Sequence, residues 1–310
     1  MTRTSLAASL AALLATPLLA GAAHAQTLTV TDFIGSIETV EGSALRVEGV
    51  GEGMRERGGD VVIDGGESLR RVRCNSRDGR AVRVNGRALG DYPTLRVTLP
   101  RGAALVVENS ILFGQVGDLS DATLALPSCG RLELGDVSGV LDVSLSGSAD
   151  VVAGDVGEAR LATSGAGDIE IGTSETLAFR SSGAGDLAAR AVSGPASVFT
   201  SGSGDAVVAS VGAGLEFDST GSGDLLLGTL QGPADIVLTG SGDAEVEDGT
   251  IPVLSLRSTG SGDFTTRASL GEVDVVLTGS GGVVGPEPSG RTTVRSTGSG
   301  TARLGDNSYR

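Results

Sequence analysis

The stretch TGSGDLLLGTL at residues 220–230 decides how this chain folds. Its opening recurs as SGSAD at 146, SGAGD at 164 and 182, SGSGD at 201, TGSGD at 220, 239 and 259, TGSGG at 278 and TGSGT at 297, each 18 to 20 residues after the last. Nine copies at so regular a period predict a solenoid, in which each unit covers the apolar face of its neighbour.

The residues between the turns identify the element. Before each turn apolar side chains take alternate places, as in Leu177 and Phe179, Leu215 and Phe217, or Val273, Val275 and Leu277, with Arg180, Glu216, Asp218, Asp235, Arg257 and Asp274 interleaved. After the turn the same alternation returns in Ile169 and Ile171, Leu187 and Ala189, and Leu225 and Leu227. Period two means strands with one buried face. The predicted fold is an all-β, single-domain parallel β-helix of about 19-residue coils, each running strand, turn, strand, turn, stacked about 4.8 Å apart.

A chain that reverses every nine or ten residues needs close backbone approach at its corners, which Gly permits, and side chains that bond turn N–H groups, which Asp, Ser and Thr provide. Asp168, Asp186, Asp205, Asp224, Asp243 and Asp263 are thereby expected to stack on one edge. Two readings stand side by side. In one the column is a set of corners; in the other its repelling carboxylates hold Ca²⁺ between coils. The nine-residue period of Ca²⁺-binding β-rolls differs from this one, and Asp is absent at Gly282 and Thr301.

Residues 26–125 carry no clean copy of the turn, yet TLTVT at 27, DVVIDG at 60, TLRVTLP at 94 and AALVVEN at 103 read as short strands. They are expected to form a less regular β segment that starts or caps the solenoid, continuous with the repeats of 126–310. Residues 1–25 combine Arg3, an apolar run and the small-residue site Ala23-His24-Ala25, the pattern of a signal peptide cleaved after Ala25. The later chain has no apolar stretch long enough for a transmembrane segment. Export brings an oxidising compartment, in which Cys74 and Cys129, the only cysteines, are disulfide candidates.

Composition narrows the chemistry. The sole His is His24, inside the segment expected to be removed, and every basic residue is Arg. Without His or Lys there is no Ser-His-Asp or Cys-His nucleophile, no Schiff base and no imidazole ligand, so no cofactor is expected apart from the Ca²⁺ alternative. A net charge of -15 opposes nucleic acid as a partner. The expected function is non-enzymatic, with an envelope protein or a glycan as partner. The alternatives are a Ca²⁺-dependent structural module, resting on the Asp column, and a polysaccharide-active enzyme, drawing on Glu216, Asp218, Asp235 and Asp274 as outward carboxylates.

The phrase TLRVTLPRGAALVVENS at 94–110, followed by the train of SGSGD coils, resembles the family named putative auto-transporter adhesin, head GIN domain, over roughly residues 30–305. The resemblance implies a β-helical, adhesin-like domain at the bacterial cell envelope, periplasmic or at the cell surface, and brings no catalytic residues. The final residues TARLGDNSYR leave no room for the membrane barrel of an auto-transporter, so surface display is expected to need another protein.

Overall fold

The computed structural model describes residues 25–49, 53–57, 59–69, 71–77 and 81–310, so the signal-peptide reading of 1–25 lies outside the described residues. The described residues are 64% strand and form a parallel β-solenoid of about 11 turns, each about 19 residues from the next. Among the described residues no helix is long and apolar enough to cross a membrane.

Alternation builds the core as columns of stacked side chains. On the first face Leu105, Ala122, Leu141, Ala159, Leu177, Ala196, Leu215, Ala234, Leu254 and Val273 succeed one another in register, and all are buried. Phe179, Phe217 and Phe264 are the largest side chains with almost no exposure. Each such burial contributes roughly 2–3 kcal/mol. On the second face Val151, Ile169, Leu187, Ala206, Leu225, Ala244, Phe264 and Val283 do the same.

The coil has one side more than the alternation predicts. After Ala189 the next buried residue is Val192, three places on, and the same slip separates Val208 from Val211 and Leu227 from Leu230. Ser174, Val192, Val211 and Leu230 remain in register across it. A slip of one residue in a period-two pattern is a bend, which gives each coil a short third side.

Residues 26–125 contribute coils of the same stack. Strand Thr27–Thr31 pairs in parallel with Ala104–Glu108, and Ile34–Gly42 pairs with Ile111–Val116. Between these coils the chain makes an excursion. Met54–Arg57 lies antiparallel on Asp60–Asp64, and Arg46–Glu48 lies antiparallel on Thr94–Pro100. These strands occupy the outer edges of both faces at the N-terminal end, where unpaired parallel edges would otherwise invite association. At the other end Asn307–Tyr309 turns back antiparallel on Ala302–Leu304 and covers the second face.

The rest of the excursion is a separate three-stranded sheet, Cys74–Arg77, Ala81–Val84 and Arg87–Ala88. A second apolar cluster of Val84 and Tyr92 with Ile34, Ile111 and Cys129 fixes it to the outside of the first coils. The Tyr92 hydroxyl donates to the Val84 carbonyl at 3.0 Å. A disulfide joins Cys74 to Cys129 with 6.2 Å between Cα atoms.

Candidate functional site

Three places on this frame concentrate chemistry: the Asp corners, the outer surface of the first face, and the sheet fixed by the disulfide.

The corners are held by hydrogen bonds within and between coils. At five of the turns the Ser or Thr just before the turn, Thr163, Ser181, Ser219, Ser258 or Ser296, donates to the carbonyl of the second Gly four residues on, as Ser181 does to Gly185 at 3.3 Å and Ser219 to Gly223 at 3.2 Å. From coil to coil the Asp carboxylate supplies the acceptor. The N–H of Asp186 donates to Asp168 Oδ1 at 3.0 Å, Asp205 to Asp186 at 2.8 Å, Asp224 to Asp205 at 2.9 Å, and Asp243 to Asp224 and Asp263 to Asp243 at 2.8 Å each. Asp150 starts the ladder at 3.3 Å, and Gly282 ends it by donating to Asp263 at 2.6 Å. Ala149 takes the place of the second Gly in the first copy, but within the stacked corners the position is closed to a Cβ, which at Gly204 would overlap the Gly185 carbonyl.

One oxygen of each stacked Asp is therefore committed to backbone N–H, which offsets part of the repulsion along the column. Among the described residues no group of three or more His, Cys, Asp or Glu converges on a common point as metal ligands would.

A second ladder escaped the sequence reading. Asp136 N–H donates to Asp118 Oδ1 at 3.0 Å, Asp155 N–H to Asp136 Oδ1 at 2.8 Å, and Thr173 N–H to Asp155 Oδ1 at 2.8 Å. The Thr173 N–H and hydroxyl hold the Asp155 carboxyl below its ordinary range. Its signal was present as the Gly-Asp pairs of VGDL at 116, LGDV at 134 and AGDV at 153, spaced like the coils.

On the first face the outward carboxylates separate into two columns. Glu216 lies in register with Asp235, while Asp218 lies between Phe199 and Val237 in the next outward column. Asp218 is thus not set beside Asp235. Ser197 donates to Glu216 Oε2 at 3.2 Å, and Asp235 and Asp274 face Arg257 and Arg295 at 3.7 and 3.3 Å. Asp218 Oδ1 is buried without a hydrogen-bond partner. Burial, with a smaller contribution from the Glu216 charge, pushes the Asp218 carboxyl above its ordinary range. Of the Phe side chains in the repeats only Phe199 looks outward, half-buried, where Arg180 stacks over its ring at 5.7 Å. Phe179, Phe217 and Phe264 look inward.

Beside the Glu216 column runs an open groove of about 670 Å³ that crosses six successive coils, from Glu158 to Val253, and is edged by Pro195, Gly214 and Pro233. The Ser197 hydroxyl and the Glu216 and Asp235 carboxylates line it. It offers polar acceptors on an otherwise small-residue floor, repeated with the spacing of the coils.

The sheet fixed by the disulfide was read only as short strands. Residues 70–87 hold seven arginines against one acidic residue, Asp78, in a chain whose net charge is -15. The count was legible; the exposure of Arg71, Arg73, Arg83 and Arg87 on and beside one sheet was not.

No curated protein and no solved structure matches the chain. Residues 193–285, five consecutive turns of the rod, match the model of the family described as "Putative auto-transporter adhesin, head GIN domain", and over this segment the chain is similar to that family.

Proposed function

We propose that this protein is an exported, non-enzymatic binding module of the bacterial cell envelope, adhesin-like in that it presents the side of a rod to an extended partner. The observation that carries the reading is the groove across six coils, because a solenoid repeats one set of contacts every 4.8 Å or so and suits a chain-like ligand. Its acceptor oxygens on Ser197, Glu216 and Asp235 match the hydroxyl groups of a neutral glycan or the N–H groups of an extended peptide. The family description, which names an adhesin, and the signal-peptide pattern support the same assignment.

Glu216 and Asp235 stand side by side on one sheet, in consecutive coils. Glycoside hydrolysis needs its two carboxylates on opposite sides of the scissile bond, so this placement favours binding over cleavage. The Asp ladder supports a structural role for the corners, with no Ca²⁺ required, since each Oδ1 already accepts a backbone N–H.

The test immobilises the mature chain and passes solubilised envelope polysaccharide and protein fractions over it. Retention of a component by the wild type and its loss in E216Q/D235N is the expected result. No retention of any component, or release of reducing ends or unsaturated sugars from the retained one, overturns the reading.

A further inference from the structure

Arginine is concentrated in one segment of the chain, residues 70–87. The acidic ladder begins at Asp150, while the arginine-rich sheet sits against Cys129, whose register partner is Ser148. Basic and acidic surfaces are therefore neighbours along one corner, one coil apart.

Arg71, Arg73, Arg83 and Arg87 are exposed on this sheet and the segment leading into it. Among the described residues none of the four forms an ion pair with a carboxylate. Two are held in place by neutral groups. Arg83 donates to the Gly86 carbonyl and Arg87 to the Asp91 carbonyl, both at 2.8 Å, and the Arg87 guanidinium lies 4.3 Å from the centre of the Tyr92 ring. Held this way, a guanidinium keeps its charge and most of its donors for an outside partner.

We propose that this sheet is a binding site for an acidic linear polysaccharide, one that carries carboxylate, sulfate or phosphate groups. The fork of a guanidinium pairs such groups with two parallel hydrogen bonds. At physiological ionic strength charges interact over about 8 Å, so only the first rungs of the ladder act on the sheet and the acidic coils farther along the rod do not cancel its local excess of arginine. The neighbouring Asp ladder selects the form of the ligand. A membrane is an extended anionic plane and would meet the ladder together with the sheet, whereas a thread-like polyanion can follow the arginines alone. The apolar side chains of the sheet are also spent inward: Val84 is buried and Leu69, Val72 and Val82 pack on the same cluster, leaving no apolar face for bilayer insertion.

This inference rests on the reading of the rod as a binding module and adds a second partner class at a place separate from the groove. The test measures dextran sulfate binding to the mature, oxidised chain by calorimetry across a salt series. The wild type should bind, with affinity falling as salt rises. R71Q/R73Q should weaken binding about tenfold at low salt, with an unchanged melting temperature, and R83Q should weaken it less. R267Q/R303Q, which removes the same charge from the far coils, and E216Q/D235N, in the groove, should leave it unchanged. Equal binding by R71Q/R73Q, an equal loss in R267Q/R303Q, or binding to phosphatidylglycerol vesicles in place of dextran sulfate overturns the proposal. Loss of envelope retention in E216Q/D235N together with unaltered dextran sulfate binding in R71Q/R73Q would leave the groove standing and remove the sheet.

Discussion

Asp186 Oδ1 accepts the backbone N–H of Asp205, 2.8 Å away and one coil on. The same bond repeated from coil to coil turns a column of like charges into a continuous backbone cap. Removing one rung leaves the N–H of the following coil without its acceptor. Asp205→Ala should cost about 1–2 kcal/mol in urea unfolding, and Asp205→Asn, which keeps an acceptor oxygen, less. Equal losses in both variants would show that the charge, and not the acceptor, matters.

The ladder also bears on metal. With one oxygen of each Asp already engaged, Ca²⁺ and Mg²⁺ at matched ionic strength should move the melting temperature equally, and EDTA should not lower it. A saturable rise with Ca²⁺ alone would mark a ligand selective for the folded rod.

Gly204 illustrates the steric side of the corner. Its absent Cβ would fall on the Gly185 carbonyl, a backbone atom fixed by two coils, so the neighbour cannot yield as a flexible side chain would. Gly204→Ala should therefore destabilise by roughly 1–3 kcal/mol or more. Gly90→Ala is the control, since a Cβ there meets nothing within 4 Å.

Two carboxylates should give opposite pH signatures. Asp155 is held below its ordinary range by Thr173. Its contribution is present above the pH where an unfolded Asp titrates and is lost as pH falls through the folded value. Asp218 is pushed upward, first by burial and then by Glu216. Stability tied to it is complete in acid and declines as pH rises through the raised value. Stability measured from pH 3 to 8 should show Asp155→Asn losing most near neutrality and Asp218→Asn gaining there, the two differences shrinking in acid.

Reduction should separate the arginine-rich sheet from the rod. The disulfide closes a loop of 55 residues, for which the chain-entropy model gives about 4 kcal/mol. Dithiothreitol should lower the melting temperature and open the arginines of residues 70–87 to trypsin, while the repeat coils stay resistant. Cleavage that begins in the repeats would show that the sheet stays docked by its apolar cluster alone.

The parallel β-helix and its corners were legible because a solenoid writes its contacts at a constant interval. Each coil meets only its neighbours, so the spacing of SGSGD and the alternation of Leu215 with Phe217 already state which residues stack. What period two cannot state is which outward residues become neighbours and where a strand bends. The third side at Val192, the separation of Asp218 from Asp235, and the bond from each Asp to the next coil's N–H depend on the register of two strands, which only packing sets. The same holds for residues 42–92. Strand-like segments were readable there, but their folding back onto Ile34 and Ile111, with Cys74 beside Cys129 and Arg71, Arg73, Arg83 and Arg87 left exposed, rests on contacts between residues dozens of places apart, for which the local pattern carries no signal.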